Sequence, residues 1–170
     1  MTAFVIRAET LDDLEAIREL NRLAFGQAAE ARLVDRLRED GLVLSSLVAV
    51  EGFRVIGHLL FSELTIETDL AVIRGAALAP MSVVPSRQRQ GIGSSLVREG
   101  LEDCRRHRVA VAVVLGHVDY YPRFGFSVEK AECLRCRYSG PHFMALELVP
   151  STLDGIRGTV KYPSAFAEVD

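Results

Sequence analysis

Apolar positions along the 170-residue chain change their spacing several times, and each change marks a predicted element. Phe4-Val5-Ile6-Arg7 reads as a short strand. Thr10 then suits the cap of a helix in which Leu14, Ile17, Leu20 and Ala24 recur at the spacing that lines one helical face. A second helix is predicted over residues 30–40, with Ala31, Leu33, Val34 and Leu37 apolar and Gly41 closing it. Residues 42–50 and 55–66 are strand-like runs separated by Glu51-Gly52-Phe53-Arg54, a hairpin turn that pairs them antiparallel.

A further strand is predicted over residues 76–84. Pro80 interrupts it, and a residue with no N–H to give to a ladder implies a bulge or an unpaired edge there. In the next segment Ile92, Leu96, Val97, Gly100, Leu101 and Cys104 form one stripe, opposite Arg98, Glu99, Glu102 and Arg105, the pattern of an amphipathic helix. The unbroken run of residues 109–115 then reads as a strand buried on both faces, so strand, helix and strand make a parallel crossover inside an otherwise antiparallel sheet. Residues 143–149 add a strand, and residues 160–162 a short one before a polar end. The fold class is therefore mixed α/β, with no repeat or linker to divide residues 1–170 into more than one domain.

Composition narrows the function classes. No apolar run approaches the roughly 20 residues that span a bilayer, and the first residues lack a basic-then-apolar leader pattern, so cytoplasmic residence is expected, with no membrane partner. A net charge of -3 offers no basic footprint for nucleic acid. Cys104, Cys133 and Cys136 are an odd number in a chain without a secretion pattern, which argues against a disulfide framework; Cys133 and Cys136 have the spacing of half a zinc site or a redox pair, but no second pair completes four ligands, and no metal is expected.

The densest chemical signal is Gln88-Arg89-Gln90-Gly91-Ile92-Gly93-Ser94-Ser95, a loop running into the amphipathic helix. The first backbone N–H groups of a helix have no intrahelical partner and carry the positive end of its dipole, so such a turn suits a phosphate or pyrophosphate. Two glycines alone also suit a plain change of direction. The Gly-Lys-Ser/Thr of a nucleotide P-loop is absent. Leu96 stands where a dinucleotide fingerprint needs its third glycine, which disfavours an NAD-dependent oxidoreductase.

Gln88-x-x-Gly91-x-Gly93 resembles motif A of the GNAT (GCN5-related) N-acetyltransferase superfamily. Met81-Ser82-Val83-Val84-Pro85 is similar to the bulged strand whose backbone meets the pantetheine arm in that family, and Tyr121-Pro122-Arg123-Phe124-Gly125-Phe126 looks like its motif B. The resemblance covers about residues 4–148, with residues 149–170 as a strand-containing extension, and is nearest to a bacterial branch with poorly assigned substrates. It implies a GNAT fold, acetyl-CoA as acyl donor, and transfer to a small-molecule or peptide amine. Cofactor contacts are implied for Met81, Val83 and Val84 and for Gln88, Arg89, Gln90, Gly91, Ile92, Gly93, Ser94 and Ser95. Many members carry an Asn shortly after the fifth strand; Gly116-His117-Val118-Asp119 stands there instead. Family members often pair through terminal strands, so a homodimer is expected from the resemblance, with an unpaired strand at residues 160–162 as a candidate for exchange between chains.

If an amine attacks a thioester, a thiolate must leave, and protonating it helps. Tyr121 is the candidate acid: from reference values of about 10 for a phenol and about 8.5 for a thiol the transfer is uphill by about 2 kcal/mol. The same spacing suits a phenol that only packs, with Tyr120 as its twin, and the resemblance favours Tyr121. Glu63, Glu67, Asp69 and His117 are candidates for a general base, Glu63 first among them. His58 reads as a satisfied sheet histidine, and His107 and His142 as surface residues. The resemblance assigns acceptor selection to residues 25–36, where Glu30 and Arg32 suit either a polar acceptor or solvent. The alternative to an enzyme is a non-catalytic acyl-CoA-binding module that keeps the turn without turnover.

Overall fold

The computed structural model describes residues 3–169. Strand β1 (Val5–Ala8) leads through a 3-10 turn at Leu11–Asp13 into α1 (Leu14–Phe25) and α2 (Ala29–Glu39). Thr10 caps the 3-10 turn rather than α1 itself. Its N–H donates to Asp13 Oδ2 at 2.7 Å, and Arg7 clamps the same carboxylate at 2.6 and 2.9 Å. At the end of α2, Gly41 takes the left-handed φ of 68° that lets Leu42 N–H reach back to Leu37 O, so the helix stops where the glycine stands.

Three long strands follow: β2 (Val43–Glu51), β3 (Arg54–Thr68) and β4 (Val72–Val83). Helix α3 (Ile92–Arg106) then returns the chain to β5 (Val111–Leu115), which runs parallel to β4, the expected crossover. A 3-10 turn at Tyr121–Phe124, the one-turn helix α4 (Val128–Ala131), β6 (Leu134–Arg135), β7 (Phe143–Glu147) and β8 (Gly158–Lys161) complete the order. The main sheet reads β1-β2-β3-β4-β5-β7, antiparallel except at β4/β5.

Helix α3 covers one face of this sheet. Gly100 gives it room: a Cβ there would lie 2.8 Å from Leu59 Cδ2 and from Phe61 Cε2, so the helix sits close on β3. Helices α1 and α2 cover the other face, where Ile17, Leu33 and Leu37 meet Leu60, Leu64 and Ile66. The strict alternation of Leu59 and Phe61 with Leu60 and Ser62 on a fully covered strand explains why β3 reads as a continuous run in sequence.

The end of the chain differs from the expectation of an unpaired strand and a polar tail. β2 holds one edge of β3 as far as Ser62, and β8 takes over that edge at Thr65–Thr68 while β6 pairs with β8 from outside. The segment after β8 is a 3-10 turn at Ser164–Val169 that buries Ala165 and Phe166 against the α2 side. Because β8 finds its partners within the chain, the structural reason for exchanging it with a second copy disappears.

Candidate functional site

The ladder between β4 and β5 is short. Gly75 to Leu78 pair with Val111 to Val114, and beyond them the two parallel strands part. The break in β4 falls at Ala79-Pro80, a cis peptide, where the register against β3 also shifts between Phe61 and Leu59. The bulge read from Pro80 is therefore present. It leaves the β4 edge from Ala79 to Val83 without a strand neighbour on the β5 side, and a cavity of about 400 Å³ opens at the fork. Leu78, Ala79, Pro80 and Met81 line it from β4, and Leu115, Gly116 and His117 from the end of β5.

Tyr121 reaches this cavity and is 8% exposed. Its ring is seated over Gly116, where a Cβ would lie only 2.4 Å from Tyr121 Cε2. The rings of Tyr120 and Phe126 meet it edge-on at 5.0 and 5.9 Å. Burial, reinforced by Tyr120, raises the Tyr121 pKa, so the phenol stays protonated at neutral pH, the form an acid needs. Tyr120 points elsewhere: its hydroxyl is 3.3 Å from Ser94 Oγ, at the start of α3.

The turn before α3 is organised from within. Arg87 Nε donates to Gln90 Oε1 at 2.9 Å, Arg87 also pairs with Glu51, and Gln88 Nε2 donates to Val83 O at 3.1 Å. Gly91 holds a φ of 84°, conformationally costly for other residues, and no atom lies within 4 Å of the space a side chain would enter. Gly93 meets a different constraint, since a Cβ there would lie 3.0 Å from Tyr120 Oη and 3.4 Å from Met81 Sδ. The N–H of Ser95 is already bonded to Gly91 O, so the N–H groups of Ile92, Gly93 and Ser94 are the ones left for an anion. Bulged strand and helix start thus approach each other across Met81 and Gly93. This open turn joined to a fork fits a pyrophosphate carrying a long thiol-bearing arm.

Residues 5–128 match the model of the acetyltransferase (GNAT) domain family, which covers the turn, the fork and Tyr121. The chain belongs to the GNAT family. It is 36% identical over 166 residues to the uncharacterized N-acetyltransferase YhbS of Escherichia coli strain K12, covering 95% of this chain and 98% of that one. It is 38% identical over 126 residues to the uncharacterized N-acetyltransferase YjhQ of the same strain, covering 72% of this chain and 69% of that one. Among solved structures, the E. coli GNAT protein YhbS in complex with CoA superposes with a TM-score of 0.88 at 34% identity over 98% of this chain and 93% of that one. A GNAT acetyltransferase from Brucella melitensis in complex with acetyl-CoA gives 0.80 at 34% identity over 98% and 99%.

Against this GNAT frame the other expected residues separate. Glu63 is not brought to the fork. It stands on β3 opposite Ala76, at the end of β4 that is still paired with β5, and its carboxylate takes an ion pair from Arg74 at 2.6 Å, the arginine that also binds His107 O at the end of α3. Glu67 pairs with Lys161 at 3.6 Å on the β8 side, and neither it nor Asp69 lines the cavity. Of the four candidate bases, His117 alone does so. Arg32 is exposed and off the cavity, whereas Glu30 lines it.

His58 is fully buried and satisfied, as expected. Ser46 Oγ donates to Glu9 Oε2 and accepts from His58 Nε2 at 2.9 Å, Asn21 Nδ2 approaches His58 Nδ1 at 3.4 Å, and Asn21 Oδ1 accepts from Ser82 Oγ at 3.0 Å. Burial pushes the His58 pKa down to about 3, so this ring is neutral and structural. The residues sequence reasoning missed are Tyr138, Tyr162 and Phe166, which close the far side of the cavity and lie beyond the span matched by the family model.

Proposed function

We propose that this GNAT enzyme transfers the acetyl group of acetyl-CoA to a primary amine by direct attack in the β4/β5 fork. The observation that carries the reading is Tyr121, a buried protonated phenol in the cavity where the bulged strand meets the end of β5. Bound acetyl-CoA supplies a thioester carbonyl that an amine attacks through a tetrahedral intermediate, with the thiolate as leaving group. The free N–H groups of Ile92, Gly93 and Ser94 hold the pyrophosphate, aided by the α3 dipole, with Gln88, Arg89 and Gln90 flanking it and Ser95 contributing through its side chain alone. The backbone of Met81, Val83 and Val84 guides the arm from the turn into the fork.

Tyr121 gives its proton to the departing sulfur as the carbon–sulfur bond breaks. The new amide nitrogen loses a proton in turn, and a water relay returns one to Tyr121. An amine that arrives as an ammonium must first shed one further proton. Of the four candidate bases, His117, which lines the cavity, is the one placed to take it in place of Glu63.

Thermal unfolding with acetyl-CoA, free CoA and NAD tests the reading. A ligand at about 100 times its Kd adds about 2.7 kcal/mol, a rise of roughly 5–10 °C for a chain of this size. Acetyl-CoA and CoA are expected to give that rise and NAD none. Gly91→Glu, which meets open space but sets a carboxylate at the turn, is expected to abolish it at a cost of about 1–2 kcal/mol in intrinsic stability. No rise with acetyl-CoA in the native protein would sink the proposal.

A further inference from the structure

The cavity has two unlike halves. One is the fork itself, with Tyr121. The other is built by Phe25, Glu30 and Leu33 from α1 and α2 and by Tyr138, Tyr162 and Phe166 from the last third of the chain. In this second half the aromatic rings form a run of edge contacts, Tyr138 to Tyr162 at 5.0 Å and Tyr162 to Phe166 at 4.8 Å. Among the described residues that line the cavity, Glu30 is the one carboxylate, and no lysine or arginine lines it.

Glu30 is only half used. Its Oε1 accepts from Gln27 Nε2 at 3.1 Å, while Oε2 is shielded from solvent and has no hydrogen-bond partner. A carboxylate oxygen cut off from water is costly to leave without a donor, and buried polar groups in folded proteins are nearly always matched. An ammonium brings three donors and the opposite charge. An aromatic wall adds favourable contact with an apolar body. A carboxylate on the same molecule would find no lysine or arginine among the described lining residues and would face Glu30. The volume, about 400 Å³ and shared with the thioester end of the donor, suits a small molecule or one side chain rather than a broad surface.

We infer that the acceptor is a small primary amine with an apolar body and no carboxylate, its nitrogen received by the Glu30 carboxylate as it turns its unpartnered oxygen toward the cavity, against the Tyr138–Tyr162–Phe166 wall. This rests on the acetyltransfer reading above and specifies its acceptor. Glu30 is on this view the residue that selects the substrate, and Phe25, at the open rim, helps shape the space for its apolar part.

The test compares 2-phenylethylamine, n-hexylamine, ethylamine and phenylalanine as acceptors at saturating acetyl-CoA, scored by thiol release. It also includes calorimetric titration of 2-phenylethylamine into the CoA-saturated protein. The expected result is a kcat/KM for 2-phenylethylamine at least tenfold above that for phenylalanine, which differs by the added carboxylate. Glu30→Gln, of the same shape, is expected to weaken the calorimetric affinity at least tenfold and to raise the amine KM in step, with the CoA-induced thermal shift kept. Phe25→Ala, at a rim position already 41% exposed and so tolerant of truncation, is expected to narrow the preference for 2-phenylethylamine over ethylamine.

Equal use of phenylalanine, calorimetric affinity unchanged within twofold in Glu30→Gln, or no turnover of any of these amines by a protein that still gains stability from CoA would each overturn the inference. Loss of the CoA-induced shift in the native protein would instead bring down the acetyltransfer reading on which it stands.

Discussion

Replacing Tyr121 by Phe isolates a single atom. The ring stays in its seat over Gly116 and between Tyr120 and Phe126, so the packing that buries it is kept. The hydroxyl faces a cavity rather than a packed core, and its removal is expected to change stability by less than about 1 kcal/mol, a midpoint shift of no more than roughly 2–4 °C. The catalytic effect is expected to be far larger. A positioned general acid contributes about 10²–10⁴-fold, equivalent to roughly 2.7–5.5 kcal/mol in the barrier.

The assay is single-turnover acetyl transfer with excess enzyme, so that slow product release cannot mask the chemical step, run beside steady-state KM values for acetyl-CoA. Tyr121→Phe should lose at least 100-fold in the single-turnover rate with the acetyl-CoA KM within about threefold. Tyr120→Phe is the matched control. Its hydroxyl sits beside Ser94 and over Gly93, so its loss should raise the acetyl-CoA KM severalfold and leave the rate at saturation within about threefold. Retention of more than a third of the single-turnover rate in Tyr121→Phe would refute the acid role, and a large rate loss in Tyr120→Phe alone would transfer that role to its neighbour.

Two further predictions concern the scaffold. His58 has a folded pKa of about 3, below its unfolded value of about 6.5, so the unfolded chain takes up a proton that the folded chain refuses. Its contribution is intact above pH 6.5 and falls by up to about 1.4 kcal/mol per pH unit from there toward pH 3. His58→Leu should therefore be less stable than the native chain at pH 7 but close the gap by about 2 kcal/mol at pH 5 in urea unfolding; parallel stability curves would contradict the linkage. Phe166→Ala removes a buried ring from the tail, one that also lines the cavity, and should cost about 2–4 kcal/mol, lowering the midpoint by roughly 4–16 °C in calorimetry; a change under about 1 kcal/mol would mean that the tail is not part of the core.

The parts of this fold that sequence made legible are those fixed by local spacing. The glycine turn needs N–H groups at a helix start and a φ of 84° at one residue, and both are properties of a few consecutive positions. Pro80 announces a break in a strand wherever that strand ends up in a sheet. Glu63 shows where such reasoning stops. Alternation fixes the face of β3 on which it lies, two residues beyond Phe61 and toward α3, but not its distance along the strand from the fork. That distance depends on β5 leaving β4 after Leu78, a pairing between segments more than thirty residues apart, and it strands Glu63 at the closed end, where Arg74 neutralises it.

The tail fails to show for a related reason. Tyr162 and Phe166 look like isolated aromatics in a polar end because their partners, Tyr138, Leu33 and the free edge of β3 beyond Ser62, come from three separate parts of the chain. The half of the cavity at the fork thus lies within the family pattern over residues 5–128, its turn and bulge set by local spacing, whereas the half walled by Tyr138, Tyr162 and Phe166 is assembled from long-range contacts and lies partly outside that span. A chain built this way can keep its donor chemistry while the acceptor side changes. Substitutions at Phe25, Glu30, Tyr138, Tyr162 and Phe166 should therefore alter which amine is used before they alter how the thioester is opened.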